Sequence, residues 1–171
     1  MKMYFFYGVM GYSKTAIALM KKFNFEEHGK KVLLAKPAID TRDGEKNLKS
    51  RVGLENKAVV LNIGESLQEK VQDLFLADRK FMVMCYGLKT DFMSRLFEGS
   101  KRLLELVDCI REIPAPCKCG KKATSILKVD NDKVIVEGEQ IDLGGNEKYL
   151  SVCHKCYAAS VLCGHPVNCK N

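Results

Sequence analysis

Residues Met3–Met20, MYFFYGVMGYSKTAIALM, constrain the fold of this chain more than any other stretch. The apolar run Tyr4–Tyr7 has the length of a buried strand, a small-residue loop follows, and a Lys-Thr pair then opens a helical pattern. Strand, glycine-bearing turn and helix in that order form a phosphate-binding loop, because the free N–H groups and positive dipole end of the helix face an anion. Against the usual G-x-x-x-x-G-K-[ST], Gly8–Thr15 runs G-V-M-G-Y-S-K-T, with Gly8 and Gly11 in the turn. Lys14 stands where the phosphate-binding ammonium belongs and Thr15 where a Mg2+-binding hydroxyl belongs, whereas Ser13 replaces the second glycine. A Gly-x2-Gly turn ahead of a helix also occurs with no phosphate to bind, so the pattern alone leaves both readings open.

The chain has 171 residues, room for one ordinary domain or a domain with a small appendage. No apolar run reaches transmembrane length, and MKMYFFYG is too soon interrupted to be a secretory signal. A cytoplasmic setting with no membrane partner is therefore expected, and there the eight cysteines serve as metal ligands or free thiols rather than disulfides. A net charge of +7 suits a polyanionic ligand such as a nucleotide, although pairs such as Lys21-Lys22 and Lys30-Lys31 equally fit a solvated face. No basic cluster interleaves aromatics as a nucleic-acid stacking platform does, so no nucleic-acid partner is expected.

The helical pattern from Thr15 ends near Gly29, and Lys31–Ala35 (KVLLA) is a buried-strand run. Residues 38–54 are polar and turn-rich, a long loop in which Asp40, Thr41 and Arg42 follow a strand end. Ligand contacts collect at such ends in α/β proteins, and an ordinary charged loop fits as well. Ala58–Ile63 is a third strand. Ser66 to about Ala77 is a helix opened by a Ser66/Glu69 capping box. Phe81–Tyr86 is a fourth strand, and Leu96–Val107 is partly helical. This alternation predicts an α/β fold, a parallel sheet flanked by helices, over residues 1–113. The character changes at Pro114-Ala115-Pro116. Residues 114–157 carry two strand runs around Asp130-Asn131-Asp132, another at Tyr149–Val152 and two cysteine pairs, a small β-rich lobe; residues 158–171 are a tail expected to fray.

Cys117-x-Cys119 and Cys153-x2-Cys156 are two close pairs separated by a hairpin-sized insert. A tetrahedral Zn2+ with four thiolates needs two such turns, and Gly120 frees the first of them. Four sulfurs leave no open position, so such an ion staples a lobe with little core rather than catalysing. His154 is a geometrically poorer substitute for Cys156. Cys163, His165 and Cys169 add soft ligands to the tail, and Cys85 and Cys109, in apolar runs, are expected to be buried core thiols.

With these parts placed, the sequence resembles the type II thymidine kinase family over roughly residues 3–157. The most specific pieces are CYGLKTDF at Cys85–Phe92, LFEGSKRLLELVD at Leu96–Asp108, CKCGKKAT at Cys117–Thr124 and VEGEQIDLGGNEKYLSVCHKCY at Val136–Tyr157. The resemblance implies a nucleotide-binding α/β core and a zinc-bearing lasso lobe. It implies transfer of the γ-phosphoryl of ATP, bound with Mg2+, to the 5′-hydroxyl of thymidine, and a homo-oligomer, a tetramer in the family. By position, Gly8, Gly11, Ser13, Lys14 and Thr15 would cradle the phosphates, with Asp40 and Arg42 on the nucleotide side. Met10, Phe92 and Phe97 would wall the thymine. Leu143, Gly144, Gly145 and Tyr149 match the lasso that closes over the nucleoside, and Cys117, Cys119, Cys153 and Cys156 match the zinc ligands.

The chain departs from the family in two places. Relatives carry a strand ending in Asp-Glu-x-Gln-Phe and a further helix before the CYGL strand; that motif supplies a metal-side carboxylate and the base toward the 5′-hydroxyl. Here Val71–Lys80 runs directly into Phe81 without an Asp-Glu pair, so a strand and a helix, on the order of 20 residues, are missing. Asp73 lies in a helical pattern, and neither it nor Asp78 has the strand end a substitute would need. Ser13 adds a Cβ close to the phosphate and strains any positive φ, which weakens ATP binding without abolishing it. Two other functions fit parts of the chain: a non-catalytic or decayed nucleotide or nucleoside binder, and a zinc-ribbon interaction module. The latter leaves the α/β pattern unexplained.

Overall fold

A computed structural model describes residues 2–62, 64–65, 81–141 and 146–167. Its elements run β1 (Lys2–Tyr7), α1 (Lys14–Glu27), β2 (Ala35–Pro37), β3 (Asn47–Lys49), β4 (Glu55–Lys57), β5 (Val59–Leu61), β6 (Met82–Gly87), α2 (Glu98–Leu106), β7 (Cys109–Glu112), β8 (Ser125–Asp130), β9 (Lys133–Ile135), β10 (Tyr149–Val152) and α3 (His154–Cys163). The fold is mixed α/β, as the alternation of patterns predicts. The chain divides into two compact units, Met1–Lys2 with Ser13–Val83 and Met3–Tyr12 with Met84–Asn171. The helix expected over Ser66–Ala77, with Asp73 and Asp78, lies outside the described residues.

In the first unit β2 and β5 pair in parallel, Ala35 opposite Val59 and Pro37 opposite Leu61. Both strands are shorter than their apolar runs. Val59 meets Ala35, and the chain just before Val59 is committed to β4, so β5 does not extend to pair with Lys31–Leu33. Only the Leu34 carbonyl reaches back, accepting from the Val59 N–H at 2.8 Å. Residues 38–54 are not all loop. Their second half enters an antiparallel hairpin of β3 and β4 that turns at Ser50, where the Ser50 N–H donates to the Leu54 carbonyl at 2.7 Å. Asn-Leu-Lys against Glu-Asn-Lys has no apolar alternation, so this hairpin is held by main-chain pairing and not by a core. In α1, Ala16 and Leu19 are buried.

The second unit is built on the parallel sheet β6-β1-β7 and the antiparallel sheet β10-β8-β9. Phe5, in the middle of β1, is fully buried. Gly8 follows β1 because a Cβ there would meet the Ile113 carbonyl oxygen at 2.9 Å. The β8–β9 turn places Asn131 and Asp132 at φ 46° and 60°, the positive values a tight two-residue hairpin needs and that Asn and Asp tolerate. Residues 114–157 lie in this unit together with the parallel sheet.

The tail does not fray at residue 158: α3 continues to Cys163 and Gly164, at φ 75°, closes it. The Gly164 carbonyl accepts from the Val134 N–H at 2.8 Å, and the Val167 N–H donates to the fully buried Ser160 hydroxyl, also at 2.8 Å. The first bond holds the end of α3 against β9, and the second folds the segment after it back onto the helix. Cys85 and Cys109 are half-buried rather than buried, because their strands face no continuous core on both sides. No helix of the described residues is long and apolar enough to cross a membrane.

Candidate metal centre and nucleotide site

Cys117, Cys119, Cys153 and Cys156 come together with every pair of Sγ atoms within 4.8 Å. Tetrahedral Zn2+ with Zn–S bonds of about 2.3 Å requires sulfurs about 3.8 Å apart. Cys119 and Cys153 stand at 3.6 Å, close to that spacing, so the donor set fits the ion with small movements of the side chains. The first pair sits in a turn closed by Gly120 N–H to Cys117 C=O at 2.9 Å and Cys117 N–H to Lys121 C=O at 2.7 Å, with Gly120 at φ 85°. The second pair sits at the start of α3. Cys153 is the N-cap, and its sulfur accepts from the Cys156 N–H at 3.5 Å. Burial works against the Cys117 thiolate. Backbone N–H groups of Cys119 and Cys153 and the neighbouring thiols outweigh it, bringing its pKa down to about 7. The Cys156 N–H, at the positive end of the helix, lowers that of Cys153. Both shifts favour thiolates, the form a metal binds. His154 is not in the cluster.

In the first unit, Ser13 caps α1 at φ 38°, a left-handed conformation its Cβ resists, and makes no side-chain capping bond. Its carbonyl accepts from the Ile17 N–H at 2.8 Å. Lys14 and Thr15, half-buried, form the first turn. Burial lowers the Lys14 pKa to about 8, and the positive charges of Arg51 and Arg42 contribute to that lowering. Arg42 and Asp40 form a two-pronged ion pair, Nε to Oδ1 at 2.9 Å and Nη2 to Oδ2 at 3.0 Å, which holds the Asp40 carboxyl below its usual range. The positive charges of Arg42, in the loop after β2, and of Arg51, in the β3–β4 turn, thus both bear on Lys14 in α1, an arrangement suited to an anion.

In the second unit, Met10 and Tyr149 pack against a core cluster that contains Phe92, 2% exposed. The Met10 carbonyl accepts from the Ser151 hydroxyl at 2.8 Å. Phe92 and Tyr149 share a cation, with Lys128 Nζ 5.0 Å and 5.8 Å from their ring centres. Phe97, also half-buried, precedes α2 and is not part of that cluster among the described residues. Gly8 and Gly11 lie in the turn after β1, Gly11 at φ 84°. The carboxyl ends of β1, β6 and β7, with Lys89, Thr90 and Glu112, bound a crevice enclosing about 10 Å³, room for one water. Leu143, Gly144 and Gly145 lie outside the described residues.

Three residues carry weight that patterns did not reveal. Lys36 is 3% exposed and donates to the Gly44 and Asn47 carbonyls, each at 2.8 Å. Arg51 stands exposed in the hairpin turn. Asp91, 3% exposed, accepts from the Met93 and Arg95 N–H groups and from Gln140 Nε2. A lysine between an apolar run and the proline that follows it gave no periodic signal of burial.

The chain is thus a mixed α/β protein with one unit bearing cations at and near a helix start and the other bearing a parallel sheet and four cysteines close enough to hold a metal ion. The family model described as "Thymidine kinase" matches residues 1–75 and 67–157. The chain is 38% identical to a thymidine kinase of Streptococcus pyogenes over 182 residues, covering 91% of this chain and 96% of the relative. It is equally similar to a thymidine kinase of Streptococcus gordonii, covering 91% and 95%. A thymidine kinase of Rhodopirellula baltica is 34% identical over 89% of this chain and 85% of its own length. The chain belongs to the thymidine kinase family. The two matches to the family model overlap at residues 67–75. With 91% of 171 residues, about 156, set against 182 aligned positions, the S. pyogenes relative carries about 26 positions opposite which this chain has none.

Proposed function

We propose that this chain is a thymidine kinase that transfers the γ-phosphoryl of ATP to the 5′-hydroxyl of thymidine, slowly because the Asp-Glu carboxylates are missing. The observation that carries the nucleotide half is that Lys14, half-buried at the start of α1, feels the positive charges of both Arg51 and Arg42. Phosphoryl transfer needs mainly positioning and neutralisation of charge. Lys14 and Arg42 would neutralise phosphate oxygens, Gly8, Gly11 and Ser13 would give backbone access by the phosphate-loop pattern, and the Thr15 hydroxyl would be a ligand for Mg2+. Mg2+ bound with ATP would supply further neutralisation of the phosphates. By the family resemblance Met10, Phe92, Phe97 and Tyr149 wall the thymine, and Leu143, Gly144 and Gly145 belong to the lasso segment. In the transfer, the bond from γ-phosphorus to the bridging oxygen of ADP breaks and a bond to the 5′-oxygen forms; the hydroxyl proton passes to solvent, since the family's glutamate is absent. Loss of a general base costs roughly 10²–10⁴ in rate.

The missing unit is supported by the overlap of the two family matches at residues 67–75 and by the unmatched positions of the streptococcal relative. On that reading the chain lacks the strand and helix that the family resemblance places ahead of the CYGL strand. Zn2+ on the four cysteines would staple the lobe. The family resemblance further suggests a cytoplasmic homotetramer, which sedimentation velocity tests. For the activity, thymidine, ATP and Mg2+ are incubated with the protein and with Lys14→Ala. Thymidine monophosphate formed by the first and not the second supports the reading; thymidine binding without any product leaves only the non-catalytic binder.

A further inference from the structure

Lys36 is the most buried cation among the described residues and makes no ion pair there: its Nζ donates to two main-chain carbonyls, Gly44 and Asn47, each at 2.8 Å. Those carbonyls belong to different pieces of chain. Gly44 ends the loop that carries Asp40 and Arg42, and Asn47 begins the hairpin whose turn carries Arg51. The ammonium sits on β2, the strand that pairs with β5, so the anchor is a sheet residue and the tied segments are its neighbours. Burying an ammonium is costly unless its N–H groups are satisfied, and a hydrophobic residue would fill the same space without that cost. What sets a lysine here apart from a hydrophobic residue is therefore what its bonds hold. Among the described residues the loop's other main-chain ties are few: Ala38 N–H to Leu61 C=O at 2.8 Å, Asp40 N–H to Pro37 C=O at 3.0 Å, Gly44 N–H to Thr41 C=O at 3.1 Å and Ala58 N–H to Lys46 C=O at 2.9 Å.

We propose that Lys36 is a positioning residue of the nucleotide site, tying Gly44 to Asn47 so that Arg42 and Arg51 are both presented beside Lys14 to the phosphates. This deepens the nucleotide-site reading and rests on it. It adds Arg51, from the exposed turn, as a phosphate ligand, and gives Lys36 a role exerted through the two arginines and not on the nucleotide itself.

Calorimetric titration of the full chain with ATP tests it. Lys36→Met weakens ATP binding about tenfold, the size of one lost charge-assisted contact, and Lys36→Arg, which can still bridge two carbonyls, recovers part of it. In a background of Arg42→Gln with Arg51→Gln, Lys36→Met has no further effect, a result a merely structural role would not give. Arg51→Gln, at an exposed turn where folding is not at risk, weakens ATP about tenfold and leaves adenosine binding unchanged. Unchanged ATP affinity in Arg51→Gln, or an equal loss from Lys36→Met in both backgrounds, overturns the proposal while Lys14→Ala still abolishes binding. Absence of ATP binding by the unaltered chain overturns the nucleotide-site reading and this proposal together.

Discussion

Asp91 and Gln140, 49 residues apart in sequence, are joined by a hydrogen bond from Gln140 Nε2 to Asp91 Oδ2 at 2.9 Å. The other carboxylate oxygen accepts from the Met93 and Arg95 N–H groups at 2.9 and 2.8 Å. One buried carboxylate thus shapes the loop that holds Phe92 and ties it to the chain just ahead of the lasso segment. Asp91→Ala strands two backbone donors and an amide, and is expected to cost about 3 kcal/mol, read by urea denaturation. Gln140→Ala loses one bond at the carboxylate and should cost about 1–2 kcal/mol. Equal effects of the two would contradict the division of labour within Asp91.

The four-cysteine centre makes metal removal a stability experiment. Cys117, Cys153 and Cys156 are all in the buried cluster, so an ion held by them would tie core residues together. One zinc per chain is expected by mass spectrometry, and Cys156→Ser or a strong chelator should lower the melting temperature by on the order of 10 °C. A metal-free protein melting at the same temperature would remove the stapling role.

Lys14 gives ATP binding a pH dependence with a definite sign. Its pKa is lowered to about 8 in the free protein by burial and by Arg51 and Arg42, and bound phosphates restore the ammonium. Below pH 8 both states hold the proton and affinity is flat. Above it the free protein has lost the proton, so binding takes one up and weakens by at most about tenfold per pH unit. Titrations in buffers of different ionisation heat should show proton uptake at pH 9 and none at pH 7, and Lys14→Met should abolish the difference. For folding the sign is opposite: the charged lysine disfavours the folded state below about pH 8, and the penalty is relieved as pH rises toward 10.5.

Ser13 at φ 38° is strained where the phosphate-loop pattern carries glycine. Ser13→Gly should stabilise the chain by about 1 kcal/mol, raising the melting temperature by roughly 2–4 °C, and should tighten ATP binding. Destabilisation by that change would mean the serine hydroxyl has a partner its geometry does not suggest.

What could be read from the sequence follows what each segment depends on. The Tyr149–Val152 strand and the Asp130–Asp132 turn were legible because alternation and turn chemistry are local properties of those residues. The cysteine pairs were legible because thiolate spacing is set by the metal and not by the rest of the fold. The β3–β4 hairpin was not: Asn47–Lys49 and Glu55–Lys57 carry a single apolar residue, Leu48, and their pairing is main-chain only. Helix α3 was missed beyond residue 157 although Gly164 and Pro166 are stop signals, because Leu162, 88% exposed, and Val161 break any clean apolar stripe. Lys36 could not be read as buried, since what buries it is the return of a loop on which no pattern is written.

The most direct measurement is single-turnover conversion of labelled thymidine by the purified chain at saturating ATP and Mg2+. The account predicts ATP- and Mg2+-dependent thymidine 5′-monophosphate, abolished by Lys14→Ala, at a rate roughly 10²–10⁴ below the ~10 s⁻¹ of a typical enzyme, since binding groups remain and the base does not. Product no greater than with Lys14→Ala, or turnover as fast as that of an ordinary kinase, would contradict it.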